Sequence, residues 1–335
     1  MRFDQLKRRQ FITLLGGAAA WPLAARAQRD RVRLVGVLMG YAENDREGQA
    51  FITALRDGLQ KLGWAEGRNV RFDFRWSGGD PAKSEDLARE FIDLKPDVVV
   101  AQGNFAVAAL QKTKQSTPIV FTQVSDPIGR GFIASLARPG GKITGFTSFE
   151  ASMGGKWLEK LKEIAPNVTR LAVVFNPSTS PHIAAGFYLR AAEEAGRRSA
   201  ILVLASPVQS VDRLEQNIGK FADDPNGGLI VVPDGFTLTH ADLTIALAAR
   251  FKLPAIYAFR SFAARGGLVS YGINPRDQFS GAANYVDRIL KGAAPAELPV
   301  QAPSNFELVI NMKTARALGL DVSAQLQQLA NEVIE

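Results

Sequence analysis

Short apolar runs alternate with longer amphipathic segments along most of this chain. Runs such as residues 34–39 and 171–175 consist almost entirely of Val, Leu, Ala and other apolar residues, which is typical of parallel strands covered on both faces. Between the runs, apolar residues recur at helical spacing, as Leu158, Leu161 and Ile164 do. The pattern predicts right-handed βαβ units in doubly wound α/β sheets. We expect strands at residues 33–39, 70–76, 97–101, 119–123, 171–175, 201–205, 229–232, 255–259, 268–271 and 306–311.

The alternation falls into two similar halves, which predicts two Rossmann-like lobes. Residues 143–148 and 268–272 form short extended segments where the chain can pass between the lobes, and the helical pattern after 272 returns to the first lobe. We therefore expect an N-terminal lobe of residues 30–146 plus 272–298 and a C-terminal lobe of residues 147–271 plus 299–335. A hinge of two to three crossing segments joins them, and it includes Thr147, Ser148 and Gly272.

Residues 1–27 have the order of an export signal. Lys7, Arg8 and Arg9 precede a weakly apolar run that ends before Pro22, and Ala25 and Ala27 flank an arginine, so we expect cleavage after Ala27. The Arg pair fits a twin-arginine signal, and an ordinary Sec signal with a chance Arg pair fits equally well. The apolar run is about half of the roughly 20 residues that a membrane-spanning helix needs. The sequence thus predicts a cleaved signal and not a permanent anchor.

Charge and cysteine content narrow the classes of partner. The chain carries a net charge of +7, but residues 1–27 hold five of the 40 basic and one of the 33 acidic residues, so the remainder carries +3. This near balance and the export signal disfavour nucleic acid as a partner. Because the chain has no Cys, it cannot form a disulfide, a thiolate zinc site or a lipid-modified N-terminal cysteine. We expect no cofactor and no metal.

Candidate ligand contacts follow the predicted strands, because ligands of doubly wound sheets bind beyond the carboxyl ends of the strands. The loops there are small and polar, with some aromatic residues that can flank a planar group. Asp126 and Asp234 can each accept from an ammonium, although Asp-Pro pairs are also common in turns. The candidate contacts are Tyr41, Gly103, Asn104, Phe105, Ser125, Asp126, Asn176, Ser178, Asp234, Tyr257 and Tyr271.

Several segments resemble a known family over nearly the whole chain. They are residues 7–17 (KRRQFITLLGG), 62–70 (LGWAEGRNV), 125–129 (SDPIG), 135–145 (SLARPGGKITG) and 306–319 (FELVINMKTARALG). They are similar to substrate-binding proteins of bacterial ABC transporters, in the branch with members that bind tryptophan and other aromatic amino acids. This resemblance implies the type 1 periplasmic-binding-protein fold.

The resemblance also implies a function. A two-lobed receptor, free in the periplasm, captures a small molecule, such as an amino acid or related small carboxylate, in the cleft between its lobes. It then delivers that molecule to an ABC permease in the inner membrane. By similarity, the polar contacts are expected among Asn104, Ser125, Asp126, Asn176, Asp234 and Tyr271. A monomer is the default expectation, since import requires both lobes to meet the permease.

Two alternatives remain open from the sequence. The protein could present its ligand to a sensor instead of a permease, or it could be an exported two-lobe enzyme. Against the enzyme, the chain has no G-x-S-x-G elbow, no P-loop and only two histidines, His182 and His240, for imidazole chemistry. The sequence therefore favours a binding protein over a catalyst.

Overall fold

The computed structural model describes residues 31–184 and 186–335, which form two α/β lobes. The predicted signal at residues 1–27 lies outside the described residues. The first lobe is built on strands β1 (Arg33–Met39), β2 (Val70–Trp76), β3 (Val98–Gln102), β4 (Ile119–Val124) and β5 (Ile143–Thr147). Its helices are α1 (Arg46–Lys61), α2 (Pro81–Leu94) and α3 (Gly103–Lys112). All five strands are parallel, in the order β2-β1-β3-β4-β5.

The second lobe begins directly after β5. Its strands are β6 (Arg170–Phe175), β7 (Leu202–Pro207), β8 (Gly227–Val231), β9 (Ala255–Tyr257), β10 (Val269–Gly272), β11 (Glu307–Asn311) and β12 (Glu332–Ile334). They form one sheet in the order β12-β11-β10-β9-β8-β6-β7, and only the β10–β11 pair is antiparallel. Its helices are α4 (Met153–Ile164), α5 (Pro181–Ala184), α6 (Leu189–Arg198), α7 (Val211–Ala222), α8 (Gly235–Thr239), α9 (Ala241–Arg250) and α10 (Arg260–Ala264).

The chain then returns once to the first lobe before it ends in the second. Helix α11 (Pro275–Leu290) packs its buried face on α1, where Phe279 stacks on Phe51 with 5.2 Å between ring centroids. A 3₁₀ turn (Pro295–Glu297) follows, and the chain crosses back to β11, α12 (Met312–Ala317) and α13 (Ala324–Leu329). The lobes are thus joined by three crossings, after β5, after β10 and before β11.

Apolar periodicity explains why these segments fold as they do. The predicted helix face of Leu158, Leu161 and Ile164 is fully buried in the core of the second lobe. Helix α11 begins at a Pro and its N-cap Asn274 accepts a hydrogen bond from the Arg276 backbone N–H, so its start is defined locally. None of the helices in the described ranges is long and apolar enough to cross a membrane.

Candidate functional site

A cavity of about 180 Å³ lies between the carboxyl ends of the two sheets. The first lobe contributes residues at or after the ends of all five strands, and the second lobe contributes those that follow β6, β8 and β9, together with Arg265 after α10. This is the position that parallel α/β topology assigns to a ligand. The cavity is smaller than the roughly 300–1,000 Å³ of pockets that hold drug-sized molecules, so it suits one small solute.

A chain of side-chain amides shapes the first-lobe wall. Gln102 accepts from the Gly40 backbone N–H (2.8 Å) and donates to Oε1 of Gln123 (2.9 Å). The Gln123 backbone N–H in turn donates to Oε1 of Gln278 on α11 (2.7 Å), and this bond links β4 to the returning helix. These bonds hold the ends of β1, β3 and β4 in a defined position around the cavity.

The start of α3 supplies backbone donors to the same wall. Gly103 has a φ of 80°, which lies in the left-handed region that glycine adopts without strain. No side chain caps this helix, because its N-cap residue is Gln102, whose amide is used elsewhere. The first N–H groups of α3 therefore remain available to an anionic group in the cavity, where the helix dipole also favours negative charge.

Asp234 is the buried acid of the second-lobe wall. Its Oδ2 accepts from the Asn176 backbone N–H (2.8 Å), and its Oδ1 accepts from the Thr237 N–H (2.9 Å) and the Thr179 hydroxyl (3.3 Å). The side chain is 4% exposed and lines the cavity. Burial raises the pKa of Asp234 to about 6, although its hydrogen bonds act in the opposite direction. A cation in the cavity would lower this pKa again, because it favours the charged carboxylate.

Three buried polar atoms of cavity-lining residues have no partner within the described part of the chain. They are Oδ1 of Asn104, Nε2 of Gln123 and Oγ of Ser148. Buried polar atoms normally have hydrogen-bond partners, because leaving one unpaired costs about 1–3 kcal/mol. The three atoms are an acceptor, a donor and a hydroxyl, so they match a ligand that both donates and accepts.

Apolar groups cover the remaining wall. Tyr41, Phe105 and Phe259 line the cavity together with Leu238. Tyr41 is held by an edge contact with Phe51 at 5.6 Å between centroids, and Phe259 by a tilted contact with Phe149 at 5.6 Å. Rings fixed in this way offer flat apolar surface at little further entropic cost on binding.

The two lobes touch each other beside the cavity. The Tyr188 hydroxyl of the second lobe donates to Oγ of Ser125 in the first (2.8 Å), and Nη1 of Arg130 lies 3.2 Å from Nδ1 of His182. On the opposite rim, a Cβ added at Gly79 would lie 2.6 Å from Oγ1 of Thr239, so only glycine permits this approach. The lobes are therefore closed over the cavity.

Six of the contacts predicted from the sequence line the cavity: Tyr41, Gly103, Asn104, Phe105, Ser125 and Asp234. Ser148, one of the predicted hinge residues, lines it as well. Thr147 ends β5 and bonds to Gln301, while Gly272 ends β10, where an added Cβ would lie 1.8 Å from the Ala258 carbonyl oxygen. All three predicted hinge residues thus stand at crossings between the lobes.

Five predicted contacts lie outside the cavity lining, and local bonding explains the polar cases. The Asp126 carboxylate turns back to cap the Gly129 backbone N–H (3.0 Å). Asn176 is buried and its side chain accepts from the backbone N–H groups of Ser178 and Thr179, while the Ser178 side chain itself is exposed. Their neighbours Thr179 and Ser180 reach the cavity instead.

The two remaining predicted tyrosines pack elsewhere in the second lobe. Tyr257 is 1% exposed in the core, where it stacks on Phe262. Tyr271 stacks on Phe306, 5.8 Å away. Sequence reasoning also missed Gln123 and Phe259 on the cavity wall, and their signal was their place at the ends of predicted strands. Tyr188 carries no such signal, because it lies in a turn between two helices.

No metal site is evident in the part of the chain that the structure describes. Among these residues, no group of three or more His, Cys, Asp and Glu side chains is arranged to hold an ion.

The fold and the cavity between its lobes define the class: this is a two-lobed binding protein of the periplasmic-binding-protein type 1 fold. The family model for ABC transporter substrate binding proteins matches residues 47–334. The chain belongs to that family, and it is a substrate-binding protein of the ABC transporter type. The matched family is one of substrate-binding proteins.

Three relatives illustrate the similarity. A tyrosine-binding protein of Clostridioides difficile is 23% identical over 286 residues, which cover 85% of this chain and 80% of that protein. The crystal structure of a conserved domain protein from Vibrio cholerae is 27% identical with a TM-score of 0.83, and the match covers 90% of this chain and 100% of that one. The structure of an ABC domain from Streptococcus pneumoniae in complex with L-Trp is 24% identical with a TM-score of 0.82, over 90% and 99% of the two chains.

Proposed function

We propose that this protein captures an amino acid with an aromatic side chain, or a closely related small carboxylate, and delivers it to an ABC permease for import. The observation that carries the proposal is the distribution of polar groups around the cavity. The second-lobe wall offers the buried carboxylate of Asp234 to a cation. The first-lobe wall offers donors to an anion together with the acceptor Oδ1 of Asn104, and aromatic rings also line the cavity.

A zwitterion has partners for both of its charges in this cavity. Its ammonium needs acceptors, which Asp234 and Oδ1 of Asn104 supply. Its carboxylate needs donors, which the N-terminus of α3 and Nε2 of Gln123 supply. Ser125 accepts from Tyr188 and so keeps its own proton for the ligand. Hydrogen bonds to charged groups contribute about 1.5–3 kcal/mol each, so this set can select a zwitterion over a neutral solute.

The rings of Tyr41, Phe105 and Phe259 favour a flat apolar side chain on that zwitterion. The relatives support the same class, since one is named a tyrosine-binding protein and another was crystallised with L-Trp. A ligand of this size is in proportion to a cavity of about 180 Å³.

A thermal-shift screen tests the ligand class. The panel comprises the L-amino acids, aromatic acids that lack the ammonium (phenylpyruvate, indole-3-acetate), amines that lack the carboxylate (tyramine, tryptamine) and the sugars arabinose and inositol. We expect only aromatic amino acids to raise Tm strongly, since a ligand at 100 times its Kd adds about 2.7 kcal/mol to the stability. Equal shifts with the ammonium-free acids would remove the role of Asp234, and a shift with sugars alone would refute the proposal.

Location and assembly complete the proposal. We infer that the protein works as a monomer in the periplasm, without a lipid anchor, after removal of residues 1–27. Overexpressed protein should appear in the periplasmic fraction, begin at Gln28 by N-terminal sequencing, and scatter light as a monomer. Retention in the membrane fraction, or a mature chain that still begins at Met1, would contradict this part of the proposal.

A further inference from the structure

Two short segments make the contacts that close the lobes on one side of the cavity. The first follows β4 in the first lobe and runs from Ser125 to Arg130. The second, in the second lobe, carries His182 on α5 and Tyr188 directly before α6. The Tyr188 hydroxyl bonds Oγ of Ser125 at 2.8 Å, and Nη1 of Arg130 reaches Nδ1 of His182 at 3.2 Å. Opening the lobes would break both contacts at once.

The ring of Tyr188 is held firmly by the side chains around it. Its ring is fully buried in the second-lobe core, 5.1 Å from Trp157 and 4.9 Å from Phe187 in edge contacts. Trp157 is held in turn by a bond from its indole N–H to the Tyr271 carbonyl (2.7 Å). The hydroxyl nevertheless bonds the other lobe, at a residue that lines the cavity. The bond thus connects the second-lobe core directly to the ligand site.

The contact between Arg130 and His182 requires a neutral imidazole. An arginine only donates hydrogen bonds, so Nδ1 of His182 must accept, and a protonated ring has no acceptor. His182 is 9% exposed, and burial together with the nearby Arg130 charge lowers its pKa from 6.5 to about 4. The nearest other charged residues along the chain are Asp126, whose carboxylate caps Gly129, and Arg190 in the first turn of α6.

We propose that Tyr188 and His182 form a latch that holds the lobes closed over the ligand, and that acid releases it. The proposal rests on the proposed function, because the latch acts on whatever solute the cavity holds. In the open state His182 loses Arg130 and becomes exposed, so it regains its ordinary affinity for a proton. The closed state therefore binds fewer protons. Closure is fully favoured above pH 6.5 and weakens progressively as the pH falls from 6.5 to about 4.

Calorimetric titration of L-tryptophan and L-tyrosine at pH 7.5, 6.5 and 5.5 tests the latch in binding. Wild-type affinity should fall about tenfold more between pH 7.5 and 5.5 than that of His182→Gln, because Gln stays neutral and still offers an acceptor to Arg130. Comparing these two proteins cancels the pH effect of Asp234, which both retain. Parallel pH profiles for the two proteins would overturn the role of His182.

Tyr188→Phe tests the other half of the latch. Removing only the hydroxyl should weaken binding about three- to tenfold at every pH, because the closed state loses one hydrogen bond. The matched control is Tyr257→Phe, which removes from the same lobe core a buried phenol hydroxyl that has no hydrogen-bond partner among the described residues. The control should bind as wild type does. Equal affinities of Tyr188→Phe and wild type would overturn the role of Tyr188.

Titration of the His182 ring separates failure of the latch from failure of the proposed function. The chain has two histidines, so the ring signals of His182 and His240 can be assigned by NMR from the His182→Gln spectrum. Because the latch forms when the lobes close, saturating L-tryptophan or L-tyrosine should lower the pKa of His182 well below its value in the ligand-free protein, and Arg130→Gln should reduce this change. If neither amino acid binds, the ligand class is wrong, and the same titration with whichever compound of the thermal-shift panel raises Tm tests the latch. A His182 with the same pKa in the ligand-free and the ligand-bound protein would overturn the latch.

Discussion

Replacing Asp234 by Asn is the most informative single change at the ligand site. The substitution keeps the shape of the side chain and removes its charge, at a position that is 4% exposed and faces the cavity. If Asp234 binds an ammonium, affinity for a zwitterion must fall. Because the loss of one charged hydrogen bond is worth about 1.5–3 kcal/mol, Kd should rise roughly 10- to 150-fold.

The stability of the ligand-free protein should change much less, because two effects oppose each other. Asn has one acceptor oxygen for the N–H groups of Asn176 and Thr237, so one of these groups loses its partner at a cost of about 1–3 kcal/mol. Burial raises the pKa of the acid from 3.8 to about 6, which corresponds to about 3 kcal/mol of unfavourable free energy for the charged form at neutral pH. Asn avoids that cost. We expect a net change within about 2 kcal/mol.

The pH dependence gives an independent check with a definite sign. The folded, ligand-free protein holds a proton on Asp234 more tightly than the unfolded chain does, so this group adds stability as the pH falls from about 6 towards 3.8. Binding of an ammonium requires the charged carboxylate, so affinity should decline below about pH 6. Asp234→Asn should lack both effects.

Calorimetric titration and urea denaturation of wild type and Asp234→Asn, at pH 7.5 and 5.5, measure these quantities. The reasoning would be refuted by a variant that folds normally and binds L-tryptophan or L-tyrosine with wild-type affinity at pH 7.5. A variant that fails to fold would instead assign Asp234 a structural role between its two loops.

Three further substitutions test other parts of the site. Ser148→Ala should lower affinity about three- to tenfold, while the ligand-free protein becomes no less stable, because the buried hydroxyl has no hydrogen-bond partner among the described residues. Its control is Ser270→Ala, which removes a similar unpartnered hydroxyl away from the cavity and should leave affinity unchanged in the same titrations. Gly103→Ala should lower the free energy of unfolding in urea by about 1–2 kcal/mol, because the φ of 80° at residue 103 strains any residue with a Cβ. An unchanged free energy of unfolding would mean that the backbone at the start of α3 adapts to alanine. Trp157→Phe should lower the free energy of unfolding by about 1–3 kcal/mol, because the Tyr271 carbonyl loses the indole N–H that donates to it. An unchanged Tm would contradict this.

The secondary structure could be predicted where the chain shows a plain apolar pattern. Strands β1 and β2 have the predicted bounds of residues 33–39 and 70–76, although β2 is a mostly half-buried edge strand. The prediction was weaker at the edges of the second sheet. Residues 201–205 suggest a buried strand, yet β7 is an edge strand in which Leu202 and Leu204 are 58% and 39% exposed. Strand β12 was missed, because three residues are too few to show a period.

The loops that form the candidate site could be predicted from the sequence, but the side chains that point into the cavity could not. Parallel topology brings the loops after the strands to one cleft, which is why Asn104 and Asp234 reach the same cavity. Which side chain turns inward depends on local competition for hydrogen bonds. Asp126 and Asn176 satisfy backbone N–H groups of their own loops and leave the cavity to their neighbours. No spacing in the sequence distinguishes a capping residue from a ligand contact.

By itself, the sequence determined the alternation of strands and helices, the two-lobed α/β class and several of the loops that line the cavity, because hydrophobic periodicity and chain direction are local properties. Only the tertiary structure decided which residues that lie far apart in the sequence come into contact. The pairs Tyr188–Ser125 and Arg130–His182 join opposite lobes, and the buried state of Asp234 exists only when its loops are assembled. Burial and proximity across the cleft arise when the lobes close, and these two conditions set the charge and the bonding of the site.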